Sequence, residues 1–504
     1  MSAAVSSPGR FARAAAIVAL AMVGGCTLGP DFLRPDLPTA KRYSGEERTL
    51  ADASSAGETE KQQHVVTGGK LPAEWWDLFR SGQLKDLLAL AIDGNRNLAA
   101  ARATLAQAQE AAYQSGAARL PTAQVGAGAG RQHTSGAATP YDQPGTTSNV
   151  FSVGPSVSYN FDLFGGAARD SEKQRALAEY QEYQLAGAYL SITGNAVLQA
   201  VQVASVRGQL KAVEELIGQD EQNLASVEKL FRMQEATRID VESARSQLAT
   251  DRTQLPPLRQ TLAETRHALA VLVGKAPADW TPPDFELDEF TLPQELPLSV
   301  PSELVRQRPD VLAAEAQLHA ATAQVGIATA ALYPNISLSA GMGQQALSPA
   351  TLFSGPAAIW NVANSLTAPI FNWGGLEAQR RASERGLEAS LATYQHTVLT
   401  SFAQVADLLE ALSHDTELLE AQRLAVASTS SSVKLTRTAF AMGDARLIQV
   451  LDAERLNQQA RLGYIRTRAQ RLADTARLFA AVGGAWADWR ERELKAPATV
   501  IVRK

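Results

Sequence analysis

Few residues in this chain can do chemistry. Six histidines (His64, His133, His267, His319, His396 and His414) are scattered, with no pair at i,i+4 and no HExxH spacing. That spacing is what a helical metal site needs, so they read as solvated or packed side chains. No phosphate-binding loop, nucleophile elbow or Cys–His set is present, and no catalytic residue or metal ligand is nominated. The lone cysteine, Cys26, excludes an intrachain disulfide and a cysteine-based metal cluster. Its chemistry comes from its position. Arg10 and Arg13 form a basic stretch, Ala14 to Val23 a short apolar one, and Gly24-Gly25 supplies small residues just before it. This is the layout of a secretory signal peptide, too short for a spanning helix. Cleavage ahead of Cys26 would leave its thiol to accept a lipid, the one covalent group expected; no cofactor is implied. Val23-Gly24-Gly25-Cys26 matches a lipoprotein box loosely, and Thr27 in place of Asp points to the outer membrane. Lipid chains anchor a protein but do not span the bilayer.

The elements that position these residues must explain 504 residues that are 45% hydrophobic, 20% charged and only 6% aromatic, with formal net charge −5. A polytopic helical membrane protein would need several apolar runs of about 20 residues. The abundance of apolar residues argues against wholesale disorder. The near-neutral balance removes the basic footprint of a nucleic-acid binder.

The chain is a tandem duplication. Gly165-Gly166 recurs as Gly374-Gly375 and Val241 as Val450, both 209 residues on. VLVGKAPADW (271–280) aligns with AAVGGAWADW (480–489) at the same offset, with six identities in ten. Upstream, Arg96–Pro121 aligns with Pro309–Pro334 at offset 213, so four extra residues lie between Pro121 and Phe161. Insertions belong in exposed loops, which places a loop tip in that interval.

Each copy reads as strand, loop, strand, then long helix. In 149–163, Phe151, Val153, Val157, Tyr159, Phe161 and Leu163 alternate with small polar residues, the period of a β-strand. Its counterpart at 359–372 alternates through Trp360, Val362, Leu366 and Ile370. The preceding strands, about 122–133 and 335–345, alternate more weakly, and the loops near 134–148 and 346–358 are rich in Gly, Ser, Thr and Pro. These lengths suit transmembrane β-strands of about 9–11 residues. Tyr159, Phe161, Phe164, Trp360, Phe371 and Trp373 lie near strand ends, as interfacial aromatic girdles do. A soluble sandwich hairpin is the alternative, disfavoured by the small polar inner face. Four strands cannot close a barrel, and an open edge in lipid leaves backbone groups unpaired. Membrane strands here therefore require oligomerisation.

No proline occurs from Ser156 to Leu255 or from Ile370 to Ala496. Helices are expected over about 167–232 and 376–441, each roughly 100 Å long at 1.5 Å per residue. Both break at equivalent points, MQEATRID (233–240) and MGDARLIQ (442–449), and return helices follow. Pro256-Pro257 should kink the first return helix.

Several segments together resemble the outer-membrane efflux protein family, of the TolC and OprM type, and especially its NodT-like lipoprotein branch. They are CTLGPDFLRPDLP from Cys26, RQRPDVLAAEAQLHAATAQVGIATAALYPNISLSA (306–340), PIFNWGG (369–375) and MGDARLIQVLDAE (442–454). The match spans nearly the whole mature chain. It implies a mainly α tandem-repeat chain with a long periplasmic α-helical barrel. Its four β-strands would contribute to a trimeric 12-stranded outer-membrane β-barrel. The segments 38–80, 276–305 and 484–504 would form an equatorial belt. The division expected is a leader (1–25), a lipid-anchored and equatorial segment (26–82), a first repeat (83–280), a linker (281–303), a second repeat (304–489) and a tail (490–504).

The implied function is passive export of small molecules such as drugs and toxic compounds. They would be delivered by an inner-membrane pump through a periplasmic adaptor, with no enzyme activity. In the family the closed periplasmic end is held by acidic residues. These fall here on Asp452 and Asp240, while Gln449 replaces a second acidic position. Adaptor docking would use the tips, with Gly443, Asp444 and Arg446 in the second repeat and Glu235 in place of glycine in the first. A type I protein-secretion duct shares the architecture; a soluble periplasmic coiled-coil scaffold or adaptor is the reading from another class.

Overall fold

The computed structural model describes residues 27–36, 43, 63–69, 71–135, 137, 144–484 and 486–495. Cys26 and the leader lie outside the described residues. In chain order the first half carries β1 (His64–Thr67), α1 (Gly82–Gly94), α2 (Arg96–Ala117), β2 (Thr122–Thr134), β3 (Thr146–Phe161), α3 (Gly166–Arg232), α4 (Arg238–Arg252) and α5 (Leu255–Leu272). The second carries β4 (Glu295–Leu298), α6 (Pro301–Gln307), α7 (Pro309–Ala330), β5 (Asn335–Ala346), β6 (Ala358–Thr367), α8 (Gly375–Met442), α9 (Leu447–Ala481) and α10 (Trp486–Lys495). The order α2-β2-β3-α3-α4 thus returns as α7-β5-β6-α8-α9. Among the described residues no helix is long and apolar enough to cross a membrane.

Packing divides the chain differently from the duplication. One compact unit takes the described residues of Met1–Pro35 with Thr104–Gln181 and Ala313–Gln395; the other takes those of Asp36–Ala103, Glu182–Leu312 and His396–Lys504. Each unit draws on both repeats. A two-stranded hairpin is marginal alone, so the strand pairs of the two repeats complete each other.

The first unit holds an antiparallel sheet of order β2-β3-β5-β6. The connections 135–145 and 347–357 are equal in length. The interval from Pro121 to Phe161 contains the expected loop, but the extra residues of the first repeat lengthen its strands and not that loop. β3 stops at Phe161 and β6 at Thr367, short of the expected 163 and 372. Asp162 ends β3 because its carboxylate caps α3, accepting from the amides of Ala167 (3.0 Å) and Ala168 (2.7 Å). Past β6, Pro369 has no amide to donate to a ladder. At the β3–β5 join the backbones touch: a Cβ on Gly154 would lie 2.2 Å from the Met342 carbonyl oxygen.

In the second unit β1 pairs in parallel with β4, which joins the segments around residues 64 and 295. Trp75, Phe79 and Phe479 are fully buried together, with Trp75 edge-on to Phe479 at 5.8 Å. Tyr189 of α3 stacks on Trp489 of α10 at 4.1 Å. The first return helix is not kinked but divided. α4 ends at Arg252 and α5 starts at Leu255, with Pro256-Pro257 in its first turn, where missing amides cost nothing. The second return helix, α9, runs unbroken for 35 residues. Apolar side chains from α3, α4 and α9 join them in two clusters: Val213, Ile217, Leu248 and Leu462, and Val227, Val241, Leu447 and Leu451.

Candidate functional site

The sheet register puts most of the apolar residues of the four strands on one face; Val150 and Ile359, near the loop end, lie on the other. Val153 faces Ala127, Tyr159 faces Leu338, and Met342 faces Trp360. Behind them Ser152 faces Gly128, Ser158 faces Ser339, and Ser337 faces Ser365. Val125, Trp360, Val362 and Leu366 are exposed. An exposed apolar face of this kind marks an interface or a membrane. The opposite face is too small and polar to bury a second sheet, but it suits water. β2 and β6 are the outer strands, so each leaves one edge unpaired among the described residues.

The six aromatics separate by position. Tyr159 lies edge-on to Phe161 (4.8 Å), Phe164 stacks on Tyr333 (4.8 Å), and Phe371 leans on Trp373 (4.7 Å). All five follow or end the strands that run into the long helices. Trp360 is near the start of β6, towards the opposite end of the sheet. Two rims of a membrane band would be marked in this way.

The segment just after Cys26 is tied to the point where β3 becomes α3. The Leu28 amide donates to the Phe164 carbonyl at 3.2 Å, and a Cβ on Gly165 would lie 2.7 Å from Thr27 Cα. Arg169, almost wholly buried, donates to Asp31 (2.6 Å), Glu172 (2.7 Å) and the Leu28 carbonyl (3.2 Å). His319 meets Glu172 at 2.9 Å and stacks on Phe32 at 4.4 Å; Arg34 pairs with Glu315 at 2.6 Å. Burial pushes the Glu172 carboxyl up, but hydrogen bonds from Arg169 and His319 outweigh it and hold the group below its usual range. Arg169 had no sequence signal beyond its place after the first Gly-Gly pair.

At the tips, each long helix ends in a left-handed residue. Gly443 has φ +81; its amide donates to Phe440, and the next amide, of Asp444, reaches back to Ala439. In the first repeat Gln234 has φ +64, with the same bonds from Gln234 to Phe231 and from Glu235 to Leu230. This is the helix-ending motif in which two successive amides satisfy orphan carbonyls. The residue standing where glycine stands in the other repeat is therefore Gln234. Glu235 is the counterpart of Asp444, a correction of one position.

Asp240 and Gln449 are also counterparts, each three residues past the cap of its return helix. The Asp240 carboxylate accepts from the Thr237 amide (2.9 Å) and hydroxyl (2.6 Å), a reciprocal capping box. Gln449 Oε1 accepts from the Arg446 amide at 2.9 Å. Asp452, one turn further on, is exposed and pairs with Arg455 at 2.6 Å. Arg238, Glu242, Ser246, Ile448, Asp452 and Arg455 line a cleft of about 670 Å³ between α4 and α9. The structure thus brings Asp452 to an open, charged groove and commits Asp240 to a cap. Among the described residues no group of three or more His, Cys, Asp or Glu could hold a metal.

A sheet with one lipid-like and one water-like face, continued by very long helices in a duplicated chain, defines an outer-membrane channel subunit. The model of the outer membrane efflux protein family matches residues 87–275 and 300–484, one stretch in each repeat, and the chain belongs to that family. It is 28% identical over 473 residues to the cation efflux system protein CusC of Escherichia coli O6:H1, covering 93% of this chain and 97% of CusC. It is 32% identical over 424 residues to the pyoverdine export outer membrane protein OpmQ of Pseudomonas aeruginosa, covering 83% of this chain and 88% of OpmQ. The solved outer-membrane channel OprN superposes with a TM-score of 0.81 at 26% identity, covering 92% of this chain and all of OprN. The chain is an outer-membrane efflux channel.

Proposed function

We propose that three copies close their sheets into one barrel of twelve strands and form the passive exit duct of a tripartite efflux system. Small molecules enter from an inner-membrane pump through a periplasmic adaptor, and no reaction is catalysed. The observation that carries this reading is the two-faced sheet with both outer edges unpaired. An open edge in lipid costs several kcal/mol per unpaired backbone group, and closure removes that cost. The named cargoes of CusC and OpmQ, a cation and pyoverdine, differ widely in chemistry. This supports a duct that leaves substrate choice to its pump, and it favours efflux over a scaffold. Cys26 carries the lipid in this reading; Thr27 at the β3–α3 junction supports an anchor at the rim of the barrel. Asp452 forms the periplasmic constriction, and Gly443, Asp444, Arg446 and Glu235 meet the adaptor.

Two neighbouring residues of β6 test the reading. Val362 is on the apolar face and Ala363 on the small one. Val362→Arg sets a charge against lipid, at a cost of ~2–4 kcal/mol near the bilayer midplane. It should abolish heat-modifiable trimers in outer-membrane extracts. Ala363→Arg should leave trimers intact and lower single-channel conductance. Equal tolerance of both substitutions overturns the barrel.

A further inference from the structure

Carboxylic acids are buried in pairs where the long helices meet the return helices. Asp220 of α3 and Asp251 of α4 are 2% and 4% exposed. Neither carboxyl oxygen of Asp220 has a hydrogen-bond partner when both acids are ionised. Asp251 accepts from Gln247 and Gln254, each at 2.7 Å. The charged groups facing the pair from the other helices are Arg437 of α8 and Glu454 of α9. These two are spent on each other at 2.5 Å, and Arg437 also holds Gln219 at 3.0 Å while Asn223 holds Glu454 at 2.8 Å. Two bare carboxylates buried together repel. One proton between them turns the repulsion into a short, charge-assisted O–H···O bond. Burial first, then the hydrogen bond and charge of Asp251, push the Asp220 carboxyl up to about 8.

The pair also sits at a hinge. Asp251 is one residue from the end of α4, and the break at Thr253-Gln254 separates α4 from α5. α4 is a 15-residue segment between the tip and that break. The second repeat has no such joint, since α9 is continuous.

We propose that Asp220 and Asp251 form a proton-held latch that fastens α4 to α3 and loosens as the shared proton is lost to water. A released aspartate titrates near 4. The packed state keeps its proton above that range, so a rise in pH favours release until the packed pair itself ionises. The slope is at most about tenfold per pH unit for one proton. α4 begins at the tip and carries Asp240, so release would loosen the periplasmic entrance; that consequence, unlike the latch, rests on the duct reading.

The test is hydrogen exchange on the full-length protein in lipid nanodiscs from pH 5 to 9, corrected for intrinsic exchange. In the wild type, protection of 238–252 should fall up to tenfold per unit and level off near pH 8. Asp220→Asn, whose amide donates the same bond at every pH, should give a flat profile. A buried carboxylic-acid carbonyl band in the infrared should be present at pH 6 and lost by pH 9, and Asp220→Asn should remove the part that titrates highest, leaving the band of the second buried acid, Asp415. If Asp220→Asn does not fold, Asp251→Asn removes the same proton and must give the same flat profile. A flat wild-type profile, an unchanged slope in the variant or an infrared band that Asp220→Asn leaves unchanged overturns the latch. A wild-type conductance indifferent to pH while α4 protection falls overturns only its link to the duct.

Discussion

Gln234 and Gly443 hold the same backbone conformation at the same point of the duplication, with φ +64 and +81. Glycine adopts that region freely, whereas a residue with a Cβ pays roughly 1 kcal/mol. Gly443→Gln should therefore fray the end of α8 by about 1 kcal/mol. The reverse change, Gln234→Gly, should be nearly neutral, because relief of strain is offset by the greater chain entropy glycine loses on folding. Exchange rates of the Glu235 and Asp444 amides, both bonded back into their helices, would read each effect.

Asp452 and Asp240 should separate in function, since one carboxylate stands in an exposed ion pair that faces solute and the other closes a cap. Asp452→Ala removes a negative charge from the cleft and leaves Arg455 without that partner. Its exposed ion pair is worth only about 0–1 kcal/mol, so the fold should persist. In planar bilayers the variant should conduct more and lose cation selectivity, read as a shift of reversal potential in a salt gradient. Asp240→Ala should cost about 1 kcal/mol of cap stability at the start of α4 and leave selectivity unchanged.

The parts legible in the sequence were those with short, local periods. Alternation in Phe151–Phe161 gave the faces of β3, because side chains point to opposite sides at every step. The proline-free stretches gave α3 and α8 to within a residue at each end. The capping box Thr237-x-x-Asp240 is present as a pattern in the sequence, and it accounts for Asp240 without an acidic ring. The glycine counterpart at the first tip was legible, since the offset of 209 residues sets Gln234, not Glu235, opposite Gly443. Two features were not legible. The strand ends at Phe161 and Thr367 depend on Asp162 turning back to cap α3 and on Pro369, which alternation ignores. Asp220 and Asp251 are 31 residues apart on different helices, and only packing reveals that they meet.

The arm after Cys26 should come away when its buried cation is removed. Arg169→Met keeps the apolar bulk but deletes bonds to Asp31, Glu172 and the Leu28 carbonyl. Asp31 is exposed and returns to water, so the cost falls on the half-buried Glu172 carboxylate and Leu28 carbonyl. Protease cleavage within residues 27–36 should rise several-fold while the sheet stays protected. The wild-type arm should also loosen in acid. The Glu172 carboxyl is depressed, so its contribution is present above the ordinary glutamate range and is lost as pH falls through its folded value.

Lipid attachment is separable from arm docking. Cys26→Ser removes the sulfur that would accept the lipid but none of the contacts of Thr27 to Arg34. The variant should take up no labelled palmitate and remain as a longer precursor by mass spectrometry. Persistent acyl incorporation would place the modification elsewhere.

A second buried acid pair carries the opposite sign from Glu172. Asp415 of α8 meets Asp474 of α9, and both are buried, at 9% and 5% exposure. Arg471 and Arg477 of α9 face this pair, and Arg477 bonds Asp474 at 2.6 Å. Burial first, then the charge of Asp474, raises Asp415 to about 7, while the two arginines pull the other way. A folded group that keeps its proton longer than the unfolded chain stabilises most below the ordinary aspartate range. That contribution declines as pH rises towards 7 and is then gone. Thermal unfolding of the full-length protein should therefore show stability falling between pH 4 and 7 from this pair. Asp415→Asn, an amide that hydrogen-bonds without titrating, should flatten that segment of the pH profile. The exchange behaviour of α4, on the far side of the first tip and governed by Asp220, should not change. A variant that flattened both would mean that the two pairs titrate as one unit.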